Sequence, residues 1–397
     1  MDQRHGQACA PTRVLFSLRH FGCAQRVRPV SVHVDNRSGL PHRCVRKAAP
    51  DGRRLQVLVV RGSFDLDGGG VLRLSHRQSP VRTGDVLEGP VSTRPLRATV
   101  GRAGDLAPYK PGTDVLVTGT ARHGAARPQP DWLAGLALGP VRKVLRLTGP
   151  RSFRRGVFGW RLGDAEPVAG TPLDWRLAFG GSWTADEGAV PGDHHLSKDD
   201  NPAGCGWLPG GAELHGVPGA VRASITRAID GLDTLPAPRI EHPGRAINHP
   251  GQDLPAEGFG PVARWCGPRR RLAGCFDDAW RQTRHPALPE DFDPAFYQDA
   301  PADQVVPGHL SGDEPFRLVG MCPEGQVDGR LPGWTLLARA RTRLGVSAGP
   351  MRLDTVEFDL DARRVGLVWR AAFPFDDALE SVVVAAVPGT GGAHGQC

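Results

Sequence analysis

The sequence predicts a mainly β fold, with β-sandwich-like sheets and a long, loop-rich central region carrying short helices. Three observations predict it. Glycine (52) and proline (37) are abundant among the 397 residues. Long helices tolerate neither, because proline lacks the N–H and glycine forfeits backbone entropy. β-Branched runs bounded by turn residues recur towards both ends of the chain, and helix-period patterns are short and confined to the middle.

Taken in order, residues 1–50 have weak periodicity and form a variable leader. An N-terminal β region spans 51–150. Its first strand is Leu55–Phe64 (LQVLVVRGSF), followed by the turn Asp67–Gly70 and a returning strand Val71–Leu74, a hairpin pattern. Asp114–Gly119 and Val141–Gly149 are further strands, with Arg122–Asp131 as a loop. From 151 to 315 strand patterns thin out and Trp, Pro, Gly, Asp and Asn dominate. Ala220–Asp230 is a helix candidate, with Val221, Ile225 and Ile229 at spacings of four, and Phe276–Thr283 is a shorter one. So long a stretch without regular structure is unusual in a compact domain. Trp160, Trp175, Trp183, Trp207, Trp265 and Trp280 therefore imply packed, ordered loops. A C-terminal β meander spans 316–388. It comprises Met351–Leu360, with Leu353, Val356 and Phe358 facing inward, a turn at Asp361–Ala362, Arg364–Ala371, and Glu380–Val387 as third strand. Residues 389–397 form a glycine-rich, disordered tail.

The net charge is +7, and nearly all of the basic residues are arginine. Only Arg151/Arg154/Arg155 and Arg269–Arg271 cluster. There is no basic stripe interleaved with aromatics, so no nucleic-acid partner is expected. The eight cysteines never take CxxC spacing, which argues against a zinc ribbon or a redox dithiol and suits reduced cytosolic thiols. No stretch approaches the roughly 18 apolar residues of a membrane span, and the N-terminal residues lack a signal-peptide core. A cytoplasmic protein without membrane contact is the expectation.

No constellation points to catalysis. Gly345–Gly349 (GVSAG) fits GxSxG, but that motif needs a following helix to lift the serine. Here Pro350 and a strand pattern follow, so the segment is expected to be a turn. Asp277, Asp278, Glu290, Asp291 and Asp293 offer carboxylates for a carbohydrate- or ester-acting hydrolase, but acids beside proline in loops more often cap helices or turns. The histidines do not form a helical i, i+4 zinc pair. Asp65–Gly68 resembles the start of a calcium loop but lacks its closing glutamate. No phosphate-cradling motif is present, and no cofactor or metal is expected.

Segments in a fixed order do carry a resemblance. Asp105–Ala121 (DLAPYKPGTDVLVTGTA), Pro172–Trp183 (PLDWRLAFGGSW), Asp200–Trp207 (DNPAGCGW), Leu235–Ile240 (LPAPRI), Gly258–Trp280, Pro286–Glu314 and Asp354–Arg370 resemble successive blocks of the domain of unknown function 2169 family. Arg61 stands where that family commonly has lysine, and Cys205 and Cys275 also depart from its pattern. The resemblance implies an accessory protein of the type VI secretion system, a non-enzymatic adaptor or chaperone. Its partner would be an effector or PAAR-like spike-tip protein, which it loads onto the spike. A structural component of the spike and a hydrolase are the alternatives. The candidate partner-binding residues are Lys110, Arg264, Trp265, Arg269 and Arg271. The same cations are equally suited to neutralising internal carboxylates, and Trp175, Phe179, Trp265, Trp280 and Trp369 suit a core. Gly180, Gly181, Gly204, Gly206 and Gly274 serve backbone geometry, while Asp291, Asp303 and Gln304 are expected to fasten loops to backbone groups.

Overall fold

The structure is a computed structural model that describes residues 32–91, 97–185, 195–343, 345–375 and 379–387. The expected tail, 389–397, and most of the leader lie outside the described residues. The fold is mainly β, as expected. Its centre is a seven-stranded sheet in the order His42–Ala48, Arg54–Leu66, Arg364–Pro374, Arg352–Asp359, Gly112–Thr118, Val305–Pro307, with Leu72–Leu74 paired to the end of Arg54–Leu66. The hairpin read from the sequence is therefore present. Within the predicted leader, His42–Ala48 and His33–Asn36 are strands, so its last third belongs to the sheets.

Strand Arg54–Leu66 is buried on both faces over most of its length, which explains its nearly unbroken apolar run. Leu58, Val60 and Phe64 enter the main core, while Val57 and Val59 join a second cluster on the opposite face. The main core lies between this sheet and two others. A five-stranded sheet runs Ile240–Glu241, Val141–Thr148, Asp131–Leu138, Pro315–Val319, Gln326–Arg330, and a four-stranded one runs His33–Asn36, Leu379–Val387, Thr335–Thr342, Gly345–Pro350. Phe316 of the five-stranded sheet meets Phe358 of the central sheet edge-on at 5.2 Å. Leu336, Ala338, Val382 and Val384 supply the third wall.

Leu353, Val356 and Phe358 all enter the core. Their spacing of three then two breaks strand alternation, and a β-bulge between Leu353 and Thr355 absorbs the extra residue, Asp354.

Three expectations need correcting. Asp131–Leu138 continues as a strand where only its neighbour Val141–Gly149 was predicted. Leu379–Val387 is not the third strand of a meander. It pairs with Thr335–Thr342 and, in parallel, with His33–Asn36. Its predicted place is taken: Arg364–Pro374 has Arg54–Leu66 bonded along its whole free edge. Gly345–Pro350 is an exposed edge strand rather than a turn, and it is followed by strand Arg352–Asp359.

In the centre, helix Gly219–Asp230 buries Val221 and Ile225 against Ala185, Trp183 and Leu196, with Ile229 half-buried. The short helix Asp278–Thr283 is capped by Asp277.

Candidate functional site

The face of the central sheet that turns away from the main core carries charge. Arg61, Asp114, Glu357 and Arg370 project from its strands and are all buried. Unpaired charges there would be severely destabilising, and the loops packed over this face provide their partners. Arg61 donates to Asp105 at 3.1 Å and to Glu357 at 2.6 Å. Arg82 donates to the same Glu357 oxygen at 2.6 Å. The bulged Asp354 accepts from Arg370, whose guanidinium also donates to the carbonyls of Asp105 and Ala107.

Beside this group, the Lys110 ammonium reaches Asp114 (2.6 Å), Asp299 (2.8 Å) and the Thr355 hydroxyl (3.1 Å). Arg269 donates to the other Asp299 oxygen at 2.7 Å and to the carbonyls of Phe296 and Val262. Asp114 also accepts from the Gln298 side chain and from the backbone N–H groups of Asp299 and Ala300. Farther along, Lys143 reaches Asp303 at 2.9 Å.

Burial strongly opposes charge in this layer, and the outcome depends on the partners of each group. For Glu357, burial pushes the carboxyl up, but Arg82 and Arg61 outweigh it and hold the pKa at about 2. Asp299 is likewise pushed up by burial but held below the usual carboxylate range by Lys110 and Arg269. The Lys110 ammonium, disfavoured by burial, is raised by Asp114 and Asp299. At Asp114 burial outweighs Lys110 and raises the carboxyl, but the short N–O contacts make the layer a network of paired cations and acids. Its charge-assisted hydrogen bonds fix loops from 75–110 and 258–304 to the sheet.

The five predicted partner-binding residues separate into two groups. Lys110 and Arg269 are buried among internal carboxylates, so they hold the loops and do not face a partner. Arg264 and Arg271 are exposed, with Asp85 3.7 Å from Arg264 and Asp199 2.6 Å from Arg271. Trp265 is half-buried against a small cluster formed by Val100, Ala103, Ala263 and Cys266. Phe179 and Trp369 are core residues as expected, while Trp175 and Trp280 are half-buried, each donating its indole N–H to a backbone carbonyl. Gln304 and Asp291 fasten backbone groups as expected, but Asp303 is fastened by the Lys143 side chain. Arg61 bridges two carboxylates through its fork.

The segments around Phe179 and Cys205 pair with each other in parallel. Gly180 has φ +154°, and a Cβ there would land on the Asn201 carbonyl. The Asn201 side chain bonds the carbonyls of Trp175 and Phe179, which locks the junction.

Three of the five carboxylates considered for hydrolysis are used locally. Asp277 accepts from the Trp280 N–H, Asp293 from Ala295 and Asp291 from Cys275. Among the described residues, no group of three His, Cys, Asp or Glu side chains could hold a metal ion. Burial pushes the Cys266 thiol up to about 12, far from the reactive thiolate range. A cleft of about 250 Å³ opens beside Trp175, and within it Arg102 pairs with Asp359 and Arg176 with Asp174. No helix among the described residues is long and apolar enough to cross a membrane.

Fold and site together define a mainly β protein whose long loops are clamped by buried ion pairs. The chain belongs to the family described as an uncharacterized protein conserved in bacteria (DUF2169), whose model matches residues 51–370. Lys110, Asp114, Arg269, Asp299, Glu357 and Arg370 all fall within that span. No curated protein and no solved structure matches the chain.

Proposed function

We propose that this chain is a non-enzymatic adaptor, working in the cytoplasm, that binds a type VI secretion effector bearing a PAAR-like tip and loads it onto the spike. The reading starts from the family resemblance carried by the ordered segments. The single structural observation behind it is the ionic layer. Lys110, Asp114, Arg269, Asp299 and Glu357, the side chains best suited to chemistry by type, are spent on holding loops in place. A rigid scaffold that presents ordered loops is the architecture of a recognition surface.

The test is purification of the full-length chain from secreting bacteria. A PAAR-like or toxin-bearing protein is expected to accompany it in fixed proportion, and deletion of the chain is expected to stop export of that protein. Repeated purification without such a partner overturns the reading. So does a glycan- or ester-cleaving activity abolished by Asp291→Asn. Secretion-dependent appearance of the chain in the medium would instead make it part of the spike.

A further inference from the structure

We propose that the Val157–Phe158 hairpin tip seats in an apolar, acid-rimmed socket on the protein this chain loads, an inference that rests on the adaptor reading above. Strands Ser152–Gly156 and Gly159–Leu162 pair antiparallel with Gly156 opposite Gly159, so Val157 and Phe158 alone form the loop. They are 96% and 90% exposed. Neither residue has a positive φ, and Gly159 (φ +103°) supplies the left-handed step that closes the turn. A valine and a phenylalanine there gain nothing from the fold and lose what burial elsewhere would provide.

The root of the hairpin is firm. Phe153 is fully buried in a cluster with Phe179 and Trp207. Arg155 donates to the Asp230 carbonyl at 2.8 Å, at the end of helix Gly219–Asp230, and lies over the Trp160 ring. The tip is thus presented on a fixed stem, which lowers the entropic cost of docking.

The surrounding charge points to the partner's chemistry. From Arg151 to Gly163 there are arginines at 151, 154, 155 and 161 and no acidic residue. Arg151 is occupied by the buried Glu241, and Arg155 by Asp230. Arg154 and Arg161 are exposed, sit directly opposite each other across the hairpin, and belong to no ion pair among the described residues. Like charges at that spacing repel. The hairpin therefore makes two locally unfavourable choices, an apolar turn and facing cations. A socket that buries the apolar pair and brings carboxylates to its rim relieves both. Departures of this kind are expected at functional sites. Two apolar side chains are too little area for lasting membrane attachment, which scales with buried apolar surface, so a protein partner is favoured.

The experiment uses the full-length chain and the protein that accompanies it from secreting cells, identified and purified separately. Val157→Asn with Phe158→Gly removes both apolar side chains at positions where neither is packed, so the melting temperature is expected to hold within a few degrees. Affinity for the partner is expected to fall by roughly 30-fold or more. Arg154→Glu with Arg161→Glu is expected to slow association and to weaken or reverse its salt dependence. Unchanged affinity in the Asn–Gly variant overturns the inference while leaving the adaptor reading intact. If the wild type has no partner, both fall together. Loss of self-association instead, or of binding to phosphatidylglycerol vesicles, assigns the tip to a second copy or a membrane and also overturns it.

Discussion

The Lys110 ammonium lies 2.8 Å from an Asp299 carboxylate oxygen, joining segments 189 residues apart in sequence. Asp114 completes the arrangement at 2.6 Å from the same nitrogen. One cation thus neutralises a strand carboxylate and a loop carboxylate where water does not reach.

Removing that cation leaves Asp114 without its counter-charge and Asp299 with Arg269 alone. Lys110→Met is expected to cost about 3–5 kcal/mol. Urea denaturation of the full chain measures it, and a cost below about 1 kcal/mol would show that the ammonium is dispensable.

Acid should weaken the layer through Glu357. Its carboxyl ordinarily titrates at 4.5 but is held at about 2 in the fold. A depressed pKa contributes stability that is complete above the unfolded value and is lost as pH falls through the folded one. About 3 kcal/mol is therefore expected to disappear between roughly pH 5 and pH 2. Glu357→Gln should flatten that part of the profile while lowering stability at neutral pH. Denaturation midpoints across this window decide the matter, and identical slopes in both proteins would refute the assignment.

At the junction near Asn201 the constraint is steric. Gly180→Ala drives a Cβ into the Asn201 carbonyl at a φ of +154°, so a loss of about 2 kcal/mol is expected. Gly349→Ala, on the exposed edge strand with nothing within 4 Å of its would-be Cβ, should change stability by less than about 0.5 kcal/mol. Thermal melting of the two variants makes the comparison.

The legible parts of the fold were those with local signatures. Leu55–Phe64 announced itself by β-branched residues and the Asp67–Gly70 turn, and Val221, Ile225 and Ile229 by their helical spacing. Asp131–Leu138 (DWLAGLAL) did not, because Ala, Gly and Leu have little strand preference and its alternation is filled by small residues. Glu380–Val387 was recognised as a strand but misplaced, since periodicity says nothing about which sheet edge is free. The ionic layer was half visible. Lys110 and Arg269 stood out by type, but a buried ion pair has no local pattern when its members come from opposite ends of the chain. Arg82 and Glu357 were missed for that reason. Val157 and Phe158 did carry a signal, an apolar pair between glycines within an arginine-rich stretch. That pair belongs to no segment of the family resemblance.

The central sheet sets a timetable for synthesis. Its middle two strands, Arg352–Asp359 and Arg364–Pro374, are inserted between Arg54–Leu66 and Gly112–Thr118, which do not touch each other in the sheet order. A nascent chain emerging from the ribosome must carry the apolar Arg54–Leu66 strand with one long flank open until some three hundred further residues have been made. Such a flank is a template for unwanted pairing, and the late closure of so non-local a sheet is slow. This protein, proposed to chaperone another, has good reason to need one itself while it is being translated.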